Sequence, residues 1–129
     1  MIEIAANRFP TNEWIIQDMR KLSIGRQYDG IISWNAFFHL NHHDQRLTLQ
    51  KFNEHLKPGG YLLLTVGPEE GEVTGLVNGN LVYHSSLSFA EYNDIAMENQ
   101  SQVVKFVRQD PECNQHSVLL IRKGSFDIP

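Results

Sequence analysis

The chain has 129 residues, enough for one domain with a sizeable core, and is 41% hydrophobic and 20% charged. Its net charge of −4 is spread along the sequence, which argues against nucleic-acid binding and against a polybasic membrane patch. No apolar run approaches the roughly 20 residues that cross a bilayer, no basic flank and apolar core open the chain, and the single cysteine, Cys113, excludes an internal disulfide, so the expectation is a cytoplasmic protein.

In chain order, Met1 to Arg8 puts Ile2, Ala5 and Ala6 on one side and Glu3 and Arg8 on the other, which predicts the end of a helix stopped by Pro10. Trp14 to Ile16 reads as a short strand whose carboxyl end presents Asp18. Gly30 to Trp34, led in by Tyr28-Asp29, reads as a second strand ending in polar Asn35. Helical spacing follows over Ala36 to Leu40 and Asp44 to Leu56, with Leu47, Leu49, Phe52 and Leu56 expected to face inward.

Pro58 has no N–H and disfavours helical geometry at Lys57, so the helix must stop there, with Gly59 and Gly60 turning the chain. Tyr61 to Val66 is apolar on both faces and is expected to be the central strand. Beyond the loop Glu69-Glu70-Gly71, the pair Asn78-Gly79 between Val73–Val77 and Asn80–His84 predicts a hairpin. Ser88 with Glu91 three residues later forms a capping box that opens a helix to about Asn99. Val103 to Gln109 and Ser117 to Arg122 read as an antiparallel pair of strands at the end of the sheet.

Strands alternating with helices argue an α/β sheet, in which ligands sit beyond the carboxyl ends of the strands. Asp18, Trp34-Asn35 and Gly67-Pro68 all fall at such ends. The order Met1-Ile-Glu-Ile-Ala, Arg8-Phe-Pro, Gln17-Asp18-Met19, Tyr28-Asp29-Gly30-Ile-Ile, Phe37-Phe38-His39-Leu40 and Leu56-Lys-Pro-Gly-Gly60-Tyr-Leu-Leu-Leu resembles the later two-thirds of a class I S-adenosylmethionine-dependent methyltransferase. The resemblance implies a partial Rossmann-like sheet with an antiparallel last strand and helices on both faces, in a single truncated domain over 1–129. It also implies S-adenosylmethionine as cofactor, with Asp18 accepting from the adenine amino group, the Met19 backbone against the adenine ring, and Trp34 and Asn35 along the methionine end.

The family's Gly-rich turn after its first strand, and the acidic residue that holds the ribose, are not found in these residues, which predicts impaired or lost cofactor binding. Unpaired strand edges left by the missing strands predict a homodimer.

His39 is the side chain whose titration range suits a general base, and Tyr83 and His84 at the end of the hairpin would overhang the cleft and meet a small-molecule acceptor. The cluster His39, His42, His43 and Asp44 has no second group at ligand spacing, so no metal site is expected, although a metal-assisted hydrolase built on this segment stands as a third reading. Cys113 has no base at fixed spacing and is not read as a nucleophile. The leading expectation is methyl transfer to a small molecule; the alternative is a catalytically silent interaction module.

Overall fold

Four strands of this sequence form a mixed sheet in the order β1-β2-β6-β5: β1 is Tyr28–Ser33, β2 is Leu56–Val66, β5 is Ser101–Asp110 and β6 is His116–Lys123. In this computed structural model the described residues are 17–77, 79–113 and 116–124, together with 7, 12, 13 and 15. β1 and β2 are parallel, while β6 runs antiparallel to both neighbours and separates β2 from β5. The expected antiparallel pair thus stands at the end of the sheet, with the last strand inserted one place inward.

Helix α1, His42–Glu54, connects β1 to β2, and helix α2, Phe89–Glu98, precedes β5. Asn41 caps α1 by accepting from the Asp44 N–H at 2.8 Å, and Ser88 caps α2 by accepting from the Glu91 N–H at 3.1 Å. Both helices bury their inner faces on the same side of the sheet, where Leu49, Phe52, Tyr92 and Ala96 meet Leu62, Leu64, Val66, Leu119 and Ile121. On the opposite face Ile32 is 72% exposed. The helix expected over Met1 to Arg8 lies outside the described residues except at position 7.

Three local expectations are corrected. Leu47 faces solvent rather than the core, because α1 turns Gln45, Thr48 and Asn53 inward beside Leu49 and Phe52; hydrogen bonds make the burial of Gln45 and Asn53 tolerable, while the Thr48 hydroxyl has no partner. Asn53, for example, donates to the Leu49 carbonyl at 2.8 Å and accepts from Ser101 Oγ at 2.5 Å. Leu56 begins β2 instead of ending the helix, and Gly59 and Gly60 lie within that strand.

Gly59 takes φ +83, and the register between β1 and β2 jumps from Tyr28↔Leu56 to Gly30↔Tyr61. The glycines therefore make a bulge rather than a turn. Finally, Ile15, the one described residue of the strand expected over Trp14 to Ile16, is not in a strand; Trp14 and Ile16 lie outside the described residues.

The hairpin appears as expected, with β3 at Gly71–Val77 paired in register to β4 at Asn80–Ser86 and Gly79 at φ +81. It is a separate two-stranded sheet that folds back over the carboxyl end of β2. The contact is close. A Cβ at Gly67 would stand 2.7 Å from Ser86 Cβ, so only glycine lets the two segments meet this way.

Candidate active site

β1 rises to Ser33, α1 descends from Asn41, and β2 rises again to Val66, so the carboxyl ends of both strands and the N-terminus of α1 share one rim of the molecule. Asn35 adopts φ 54 there, and its N–H donates to Thr65 Oγ1 at 2.8 Å, tying the exit of β1 to the end of β2. Asparagine tolerates this left-handed backbone better than most side-chain-bearing residues. Trp34 stacks on His116, the first residue of β6, with ring centroids 5.6 Å apart and planes 13° from parallel.

Asp18 precedes a 3-10 turn, Met19–Lys21, whose Arg20 N–H its carboxylate accepts at 3.0 Å. The Arg20 guanidinium bonds the same carboxylate at 2.5 Å and reaches on to Asp44 Oδ2 at 3.2 Å, at the start of α1. That chain places Asp18 at the same rim as Asn35 and Gly67. The hydrogen bonds from Arg20 hold the Asp18 carboxyl down at about 2, so it is a partly exposed anion at any physiological pH.

The hairpin brings the other residues in. The His39 ring lies 4.8 Å from that of His84, and Phe38 meets both edge-on at 4.7 and 4.8 Å. His39 Nδ1 is 2.9 Å from the Tyr83 carbonyl. A carbonyl only accepts, so Nδ1 carries the hydrogen and Nε2 of the neutral ring holds the lone pair.

Loss of hydration, and then the neighbouring His39, push the His84 imidazole below its ordinary range, so it is neutral at pH 7. Tyr83 donates its hydroxyl to Glu72 at 2.9 Å, and desolvation raises its ionisation above the usual tyrosine range. Beneath the hairpin a cavity of ≈ 350 Å³ is lined by Gly67, Pro68, Glu69, Glu72, His84 and Ser86, among others.

Sequence reasoning missed several residues of this arrangement. Arg20, Thr65 and His116 act through partners distant in the chain, and Gln45 is a polar residue at an inward helical position. None belongs to a motif. His42 and His43 do not join a cluster with His39: His42 Nε2 donates instead to the Gly71 carbonyl at 3.3 Å, and among the described residues no three metal-ligating side chains come together. No helix among the described residues is long and apolar enough to cross a membrane.

A family model described as a methyltransferase domain matches residues 1–60. No curated protein matches the sequence. Among solved structures, a SAM-bound amino pentose methyltransferase from Micromonospora echinaspora, involved in calicheamicin biosynthesis, superposes with a TM-score of 0.74 at 14% identity, over 94% of this chain and 69% of its own. A S-adenosylmethionine-dependent methyltransferase from Clostridium acetobutylicum gives 0.72 at 11% identity, over 95% of this chain and 71% of its own. The Burkholderia thailandensis 1,6-didemethyltoxoflavin-N1-methyltransferase, bound to its substrate and S-adenosylhomocysteine, gives 0.68 at 16% identity, over 95% of this chain and 56% of its own.

Proposed function

We propose that this chain, whose fold is that of the class I S-adenosylmethionine-dependent methyltransferases, works in a site that transfers a methyl group from S-adenosylmethionine to a small molecule. The observation that carries the reading is the coincidence of fold and rim. A sheet with an inserted antiparallel strand gathers an anionic carboxylate, two strand exits and a pair of imidazoles at the end where such sheets hold ligands.

The residues fit one end of the cofactor. Asp18 offers an ionised acceptor to an exocyclic amino group, with the backbone of Met19 beside it and Trp34 and Asn35 bordering the cleft toward the methionine end. The Gly-rich turn and the ribose-holding acid have no counterpart among these 129 residues, so no residue is assigned to the ribose here. When bound, the cofactor supplies a methyl group on a sulfonium; the methyl passes to a nucleophile and the bonding pair stays on sulfur.

The chain's part in that chemistry is to orient the acceptor and take its proton. His39 Nε2 and neutral His84 carry lone pairs suited to this. Tyr83, protonated and donating to Glu72, serves as an orienting hydroxyl. A single domain in the cytoplasm accords with this chemistry, and the outer edges of β1 and β5, unpaired among the described residues, would take a second copy. A purely monomeric species by light scattering at micromolar concentration would overturn the dimer.

Calorimetric titration with S-adenosylhomocysteine tests the main reading. Saturable heat is expected, at least tenfold weaker in Asp18→Ala. Absence of heat at millimolar ligand would overturn it in favour of the second reading, a catalytically silent interaction module.

A further inference from the structure

We propose that Gln45 is a positioning residue for the imidazole pair: its buried side-chain amide grips the carbonyls of Leu40 and Ser85, the residues directly after His39 and His84, and so sets the two rings against each other. Gln45 is fully buried. Its Nε2 lies 3.0 Å from the Leu40 carbonyl, 2.9 Å from the Ser85 carbonyl and 2.9 Å from Ser85 Oγ. Ser85 Oγ donates in turn to the Leu40 carbonyl at 2.5 Å. At the other end of the amide, Oε1 accepts from the Tyr92 hydroxyl at 2.7 Å.

The orientation of the amide is not arbitrary. Two carbonyls can only accept, so the end facing them must be the NH₂. Leu40 closes the short turn that carries Phe37, Phe38 and His39, and Ser85 sits in β4 next to His84. These two segments are 45 residues apart in the chain, and one side chain from α1 fastens both of them.

Burying a primary amide is unfavourable unless its donors and acceptors are used. Leu49 and Phe52 on the same face show that apolar residues suit this helix well. A methionine at position 45 would fill the space, yet it could not hold two backbones at a set separation. A second tie, His39 Nδ1 to the Tyr83 carbonyl, links the same segments from the ring side.

The inference rests on reading His39 and His84 as the proton-accepting pair, but its test does not require methyl transfer. The test follows the ring signals of both histidines by NMR in the wild-type protein, Gln45→Met, and Tyr92→Phe as the control that spares the Nε2 contacts. In the wild type, His84 should titrate below the ordinary value of 6.5 and show a ring-to-ring Overhauser contact with His39. In Gln45→Met the contact should vanish and the titration should climb back toward 6.5, while Tyr92→Phe leaves both in place.

If Gln45→Met does not fold, Gln45→Leu, uncharged and unable to donate to either carbonyl, should give the same result. The other titratable groups around the pair, His42, Glu72 and Tyr83, are unchanged in every variant. Unaltered His84 titration and contact in a folded Gln45 variant would overturn the proposal, as would a wild type without the ring contact. A Gln45-dependent shift in a protein that binds no S-adenosylhomocysteine would leave the positioning role standing and remove only the methyl-transfer reading.

Discussion

Replacing Tyr92 by Phe removes one oxygen from the centre of the molecule and strands two buried partners. The ring is 1% exposed and would stay packed. The hydroxyl, however, donates to Gln45 Oε1 at 2.7 Å and accepts from the Leu87 N–H at 3.1 Å, and both partner residues are buried. Each buried group left unsatisfied costs about 1–3 kcal/mol, and removing the hydroxyl's own burial recovers part of that, so a net loss of about 2–4 kcal/mol is expected.

Against a total stability of about 5–15 kcal/mol this is large, and with a urea slope of about 2 kcal/mol per molar it lowers the unfolding midpoint by roughly 1–2 M. A second signature lies at alkaline pH. Burial pushes the Tyr92 hydroxyl up to about 12 from 10.0. A group raised on folding contributes fully below the unfolded value and loses that contribution as pH rises through the folded one.

The wild type should therefore lose roughly 3 kcal/mol between pH 10 and 12 through this group, at about 1.4 kcal/mol per unit, and Tyr92→Phe should not. The stability gap between the two proteins should narrow across that window. A variant within about 0.5 kcal/mol of wild type at pH 7, or a gap that stays constant to pH 12, would refute the reasoning.

Gly67→Ala should force β4 away from the end of β2, since the new Cβ would meet Ser86 Cβ at 2.7 Å; a loss of about 1–3 kcal/mol is expected, with faster hydrogen exchange at Ser85 to Leu87, and unchanged exchange there would contradict the seating of the hairpin. Asn41→Ala removes the acceptor for the Asp44 N–H and should cost about 1 kcal/mol, measured by urea unfolding. Arg20 holds Asp18 down at about 2 from 3.8. The stabilisation from a lowered carboxyl is present above the unfolded value and lost as pH falls through the folded one, so the acid limb of the stability curve between pH 4 and 2 should be shallower in Asp18→Asn than in wild type.

Much of the frame was readable residue by residue. Tyr61 to Val66 read as the central strand, which its pairing on both edges bears out although Tyr61 is exposed; Asn78-Gly79 could only favour a hairpin, and Ser88 with Glu91 marked a helix start that the capping bond bears out. The inward face of α1 was misread because hydrophobic periodicity registers Leu47 as core and passes over Gln45 and Asn53. The bulge at Gly59 looked like a turn because a left-handed glycine serves equally in both.

What the sequence determined by itself is therefore local: where elements start and stop, which strand lies in the middle, and which motif order the chain shares with a known fold. Capping, proline geometry and apolar patterning act within a few residues and are written in order along the chain. Only the tertiary structure decided that Gln45 fastens Leu40 to Ser85, that Arg20 joins Asp18 to α1, and that His39 faces His84. Those contacts span tens of residues, and a side chain's partner across such a distance is chosen by how the layers pack, a property that no single stretch of sequence carries.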